Sequence, residues 1–94
     1  VDPNSALSVD AAAAHELTHY HRWRDKSDLK EPKLEYLDEA LTSLQAIARY
    51  TQHLSETDKA QLVADAIQRI QLFVRDYLAP ELGLEEQKSK VTAT

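Results

Sequence analysis

An all-α fold, a small bundle of three main helices with a short C-terminal turn, is predicted by three observations. Apolar residues recur at three- and four-residue intervals in three separate segments. No stretch alternates apolar and polar residues as a half-buried strand would, and no internal repeat is present. A single glycine, Gly83, leaves the chain without the material for tight hairpin turns.

The elements follow in chain order. Residues 1–8 read as a flexible leader, after which Ser8 or Asp10 can cap a helix that opens into Ala11–Ala14 and runs to about Arg24. Asp25–Pro32 is poor in apolar residues and carries Asp, Ser and Pro, so it reads as a turn. The second helix starts near Lys33 and shows a stripe of Leu34, Leu37, Leu41, Leu44 and Ile47, continuing to Leu54. Ser55 is placed to cap the third helix, with Glu56 and Asp58 favouring its N-terminus. That helix has the strongest periodicity: Leu62, Val63, Ala66, Ile67, Ile70, Phe73, Val74, Tyr77 and Leu78 fall on one face and read as core. Ala79-Pro80 stops or bends it, and Gly83 can end a last short turn. One helical domain over residues 9–84 is expected, followed by a disordered polar tail over 85–94.

Composition narrows the function classes. Ninety-four residues make one small domain with a thin core. Eleven basic against sixteen acidic residues, a net charge of -5, argue against nucleic acid as a partner, since no basic stretch exists to replace phosphate counterions. The lone glycine excludes a P-loop and a dinucleotide-binding fingerprint. The absence of cysteine excludes a disulfide framework, a thiolate zinc site and a thiol nucleophile. No apolar run is long enough for a membrane span and no signal-peptide pattern is present, so a soluble domain is expected, with the cytoplasm the favoured compartment.

Chemistry concentrates in His15-Glu16-Leu17-Thr18-His19 on the first helix. Two histidines four apart lie one turn above each other on one face, so their imidazoles can converge on one metal ion. Glu16 beside them can take a proton from a water that the ion acidifies. On the second helix Glu39 lies at the edge of the apolar stripe, next to Tyr36, Ser43 and Tyr50; Glu35, one turn away, is the second choice, while Asp38 points to the polar face. On the first helix a core stripe of Val9, Ala13, Leu17 and Tyr20 is expected, with His21 pointing away from the histidine pair, and Trp23 and Tyr20 read as core anchors rather than substrate-stacking groups.

HELTH, followed after nineteen residues by Glu39 within Asp38-Glu39-Ala40, resembles the thermolysin-like gluzincins, a family of zinc metallopeptidases. The resemblance spans His15 to Ser43, roughly a third of the chain. It implies that His15, His19 and Glu39 are zinc ligands, that Glu16 is the general base, that the two motif helices form a hairpin, and that the substrate is a peptide or protein. Ser43 stands where that family has an aspartate orienting a zinc-bound histidine, and it is the expected partner of His15. The fourteen residues before His15 are too few for the family's upstream substrate-binding sheet. An oxyanion donor would have to come from Tyr20, Arg22, Tyr36, Tyr50 or His53.

Two other classes fit the same residues. Glu16-x-x-His19 is also the ExxH unit of ferritin-like carboxylate proteins, which would hold two iron or manganese ions with Glu35 and Glu39, completed by a second chain. A non-catalytic helical interaction or dimerisation module is the third, with Leu72, Leu82 and Leu84 marking a surface for homo-oligomer formation.

Overall fold

The computed structural model describes residues 7–83, and within them the chain is all-α. Three main helices, α1 (Val9–Arg24), α2 (Glu35–Arg49) and α3 (Glu56–Phe73), are followed by a one-turn helix, α4 (Ala79–Leu82). Helix α2 packs most extensively on α3, and α1 lies against α2 as its hairpin partner. The expected tail over 85–94, the leader up to residue 6 and Leu84 lie outside the described residues.

Two helix starts are tied together. Ser8 caps α1 by accepting from the Ala11 N–H, and its hydroxyl donates to Asp58 Oδ1 at 2.6 Å. Asp58 also closes a capping box on α3: Ser55 Oγ accepts from the Asp58 N–H, and Asp58 Oδ2 accepts from the Ser55 N–H, both at 3.0 Å. Leu7 packs on the core and the Ser8 N–H donates to Gln61, so the last two leader residues belong to the fold. The bond from Ser8, then the capping bonds, hold the Asp58 carboxyl below its ordinary range.

Helix α1 ends in a Schellman motif. The Lys26 N–H donates to Trp23 O and the Ser27 N–H to Arg22 O, with Lys26 in the left-handed region at φ 60°. The loop that follows is pinned from within: Arg22 donates to Ser27 O and to Asp38 Oδ1, which also accepts from the Leu29 N–H. A 3₁₀ turn over Pro32–Leu34 then feeds α2. Helix α2 stops at Arg49, short of the expected Leu54, because the chain tightens into a 3₁₀ turn over Thr51–His53 to reach the Ser55 cap. Helix α3 widens into a π-turn over Val74–Leu78 just before Pro80, whose ring would collide with the carbonyl of a regular preceding turn. Gly83, at φ 73°, ends α4 in the left-handed conformation.

The interior differs from the expected one. Among the described residues the buried apolar side chains are five alanines and two leucines: Ala11, Ala14, Ala40, Ala46, Ala66, Leu54 and Leu62. Buried beside them are His15, Thr18, Arg22, Thr42, Ser43, Asp58, Asp65 and Arg69. The expected α1 core of Val9, Ala13, Leu17 and Tyr20 faces solvent, and Trp23 is 65% exposed rather than a core anchor. Leu41 and Leu44 on α2, and Val63, Ile67, Ile70, Val74, Tyr77 and Leu78 of the third apolar stripe, also remain open. The physical reason is partnering: each buried polar residue above has hydrogen-bond or ionic partners inside, with Arg22 Nε the one atom among them left without a partner among the described residues, so the polar face can turn inward and displace the larger apolar one. Asp38 is likewise turned inward, bound to Arg22, where the polar face had been expected.

Candidate metal centre

Helical geometry brings three ligand-type side chains to one point. His15 and His19, one turn apart on α1, direct their Nε2 atoms at each other across 3.1 Å, and Glu39 Oε1 on α2 meets both, 2.9 Å from His15 Nε2 and in a short contact with His19 Nε2. No two of the three ligand atoms are more than 4.8 Å apart. Among the described residues this is the one group of its kind.

Each imidazole is oriented from behind. His15 Nδ1 donates to Ser43 Oγ at 2.7 Å, and that hydroxyl donates onward to Asp65 Oδ2 at 2.6 Å. Arg69 Nε lies 3.1 and 3.2 Å from the two Asp65 oxygens, and Arg69 Nη1 is 3.5 Å from Glu39 Oε2. A relay therefore runs from His15 through Ser43 and Asp65 to Arg69 and back to the carboxylate of the group. With a metal bound, this arrangement would keep the proton of His15 on Nδ1 and turn the Nε2 lone pair to the centre. His19 is held more loosely, with Thr42 Oγ1 3.4 Å and Asp38 Oδ2 3.9 Å from its Nδ1.

The electrostatics follow from this crowding. Burial alone would raise the Glu39 pKa, but hydrogen bonds from His15 and His19, with the charges of His19 and Arg69, outweigh it and hold the carboxyl well below the usual range. The bond to Glu39 raises His19 above its ordinary 6.5; burial opposes this, and the charges of Glu39, Glu16 and Asp38 add to it. In the metal-free protein the two form an ion pair.

No known protein family, curated protein or solved structure matches the chain. Bonds of about 2.0–2.1 Å in a tetrahedral zinc site set ligand atoms about 3.3 Å apart; the His15–His19 and His15–Glu39 separations are close to this, while His19 and Glu39 stand nearer and would have to part to admit the ion. The side chains of His19 and Glu39 keep 28% and 23% of their surface, so one side of the group is open to water.

Of the other sequence candidates, Glu16 is exposed and acts on the centre through its charge on His19. Glu35 is absent from the converging group and instead lines a cleft of about 300 Å³ with Glu39, Arg69, Tyr36, Tyr77 and Pro32. Tyr36, one of the expected oxyanion donors, opens into this cleft, and its hydroxyl bonds the Asp76 carboxylate. Arg22 is committed to Asp38, Tyr50 packs on the core, and Tyr20 and His53 are exposed. Asp65 and Arg69 were missed. Their signal was available: they stand four apart as the only charges between Ala60 and Val74.

Proposed function

We propose that the protein is a small zinc-dependent metallopeptidase-like domain in which His15, His19 and Glu39 hold the metal. The observation that supports this reading is the convergence of two Nε2 atoms and one carboxylate oxygen, with His15 fixed from behind by Ser43. Two imidazoles and one carboxylate are the donor set of a catalytic zinc site, which keeps a fourth position open; a carboxylate-bridged pair of iron or manganese ions calls for more acids than the group contains.

When bound, zinc acidifies water and polarises a carbonyl. The chain's own residues supply the rest. His15, locked by the relay to Asp65, gives the site its fixed direction; His19 and Glu39 would hold the metal in place of the hydrogen bond they share. Glu16, exposed beside His15 in the chain, would take a proton from water and pass it to the leaving amine. The cleft beside Glu39, walled by Tyr36, Tyr77 and Pro32, would receive the peptide, and the Tyr36 hydroxyl, which bonds Asp76, would have to exchange that partner for a developing oxyanion to act as donor.

The test is elemental analysis of untagged protein with three variants. About one zinc per chain is expected, lost in His15→Ala and Glu39→Ala. Glu16→Gln should keep the zinc and lose hydrolysis of a peptide library. Absence of zinc, or full hydrolysis in Glu16→Gln, overturns the metal-binding or the catalytic half respectively.

A further inference from the structure

The cleft beside the metal centre carries one charge that the fold leaves unanswered. About 300 Å³ in volume, it is lined by Pro32, Glu35, Tyr36, Glu39, Arg69 and Tyr77. Glu39 is bound to His15, His19 and Arg69, and Arg69, 7% exposed at the floor, is also bound to Asp65. Glu35 opens α2 one turn before Glu39, is exposed at the rim, and has no hydrogen bond or ion pair among the described residues. Of the bases on neighbouring turns, Arg75 is held by Asp76 at 2.6 and 3.0 Å, and Lys33 lines a different hollow with Phe73 and Pro80.

The walls are largely apolar and braced. Tyr36 and Tyr77 stand side by side with ring centroids 6.3 Å apart, and Phe73 backs Tyr77 at 5.9 Å. The Tyr36 hydroxyl is tied to Asp76, which fixes its ring as a wall. A carboxylate at the rim above two aromatic rings and a proline suits an elongated group with an apolar stem and a cationic head. Lysine and arginine side chains have that build: the stem packs along apolar surface while the charged end reaches a carboxylate. An acidic side chain would meet Glu35 as a like charge, and an aliphatic one would cover that charge without pairing it. One helical turn sets Glu35 about 5–6 Å from Glu39, so the cationic head rests at the rim, apart from the Arg69 guanidinium on the floor.

We propose that this cleft is the subsite for a lysine or arginine side chain of the peptide, with Glu35 as the residue that selects it. The inference rests on the reading of His15, His19 and Glu39 as the metal centre of a peptidase, and gives that reading a substrate class. The stem lies against Tyr36, Tyr77 and Pro32, the head meets the Glu35 carboxylate, and the peptide bond next to that residue comes beside Glu39.

Binding is read apart from catalysis by nuclear magnetic resonance titration of the full chain in EDTA. The probes are N-acetyl-arginine amide, N-acetyl-lysine amide and the uncharged N-acetyl-norleucine amide. Both basic probes should shift the Tyr36 and Tyr77 signals and bind about 10-fold or more tightly than the norleucine probe, a difference that Glu35→Gln abolishes. Glu56→Gln makes the same charge change about 20 Å along α3 from Arg69 and should leave the difference intact. Zinc-loaded protein should cleave N-acetylated, C-amidated peptides about 10–100-fold faster next to lysine or arginine than next to norleucine. Glu35→Gln should remove that preference with zinc content at the parent level, and the blocked ends exclude a terminal amine as the selected cation. Discriminating binding by a protein that hydrolyses none of these peptides upholds the cationic cleft and overturns the peptidase reading. Equal affinity for the three probes, or a preference that persists in Glu35→Gln, overturns the proposal whatever the protein hydrolyses. So does a Glu35→Gln protein changed only by a lower melting temperature, which makes Glu35 a helix-start carboxylate alone.

Discussion

Asp65→Asn is the most informative single substitution in this protein, because it changes one charge and almost no volume at the centre of the polar interior. The Asp65 side chain is 2% exposed, accepts from Ser43 at 2.6 Å and faces the Arg69 guanidinium at 3.1 Å. Hydrogen bonds to a charged group are worth about 1.5–3 kcal/mol each, and an amide oxygen keeps part of each, so a net loss of about 2–3 kcal/mol is expected. Arg69 retains Glu39 at 3.5 Å, which keeps the cost below that of a fully orphaned buried charge. For a domain of this size that loss lowers Tm by about 10–20 °C. Zinc affinity should fall about 10–100-fold, because His15 loses the acceptor that orients its ring through Ser43. Ser43→Ala separates the two effects: it cuts the relay and spares the Asp65–Arg69 pair, so affinity should drop by a similar factor with a smaller loss of about 1–2 kcal/mol. Calorimetric melting in EDTA and chelator-competition titration of zinc measure both. Unchanged zinc affinity in both variants would refute the relay, and a Tm within about 3 °C of the parent for Asp65→Asn would refute the energetic weight given to the buried network.

Leu62, fully buried, is the largest side chain of the apolar core, so Leu62→Ala should cost about 3–4 kcal/mol in urea unfolding. Lys26→Gly should instead add about 0.5–1 kcal/mol by relieving a left-handed residue with a side chain, read by the same assay. The metal-free protein should show a stability maximum in acid. His19 has a raised pKa, so its contribution is complete below 6.5 and is lost as pH climbs through the raised value. Glu39 has a lowered pKa, so its contribution is complete above 4.5 and is lost as pH falls through the lowered value. Urea unfolding in EDTA should therefore peak between about pH 4.5 and 6.5, and a steady rise to pH 8 would contradict the His19–Glu39 ion pair. Zinc competes with the His19 proton, so its binding should weaken as pH drops, with proton release visible by calorimetry in buffers of different ionisation enthalpy.

Helix starts and the metal-type residues were readable from the chain because they depend on local chemistry. Ser8 and Ser55 are caps by the spacing of their own backbone neighbours, and His15, His19, Glu39 and Ser43 come together by helical periodicity once two helices form a hairpin. The inward face of α1 was not readable. An apolar stripe marks the interior only when the interior is apolar, and here His15, Thr18 and Arg22 occupy it because Ser43, Ala14 O and Asp38 receive them. Those partners are remote in sequence, and helical periodicity contains nothing that pairs Ser43 with Asp65. The same reversal explains why the strong stripe of α3 was assigned wholly to the core although much of it points outward.

The bond from Ser8 to Asp58 makes two distant helix ends answer to a single event. If α1 lifts away, Ser8 leaves Asp58, and the carboxylate that also receives the Ser55 N–H loses a partner that anchors it. Fraying at one end thus propagates to the other without passing through the chain between them. In hydrogen exchange, the amides of Ala11 and Ser55 become paired reporters of the same opening.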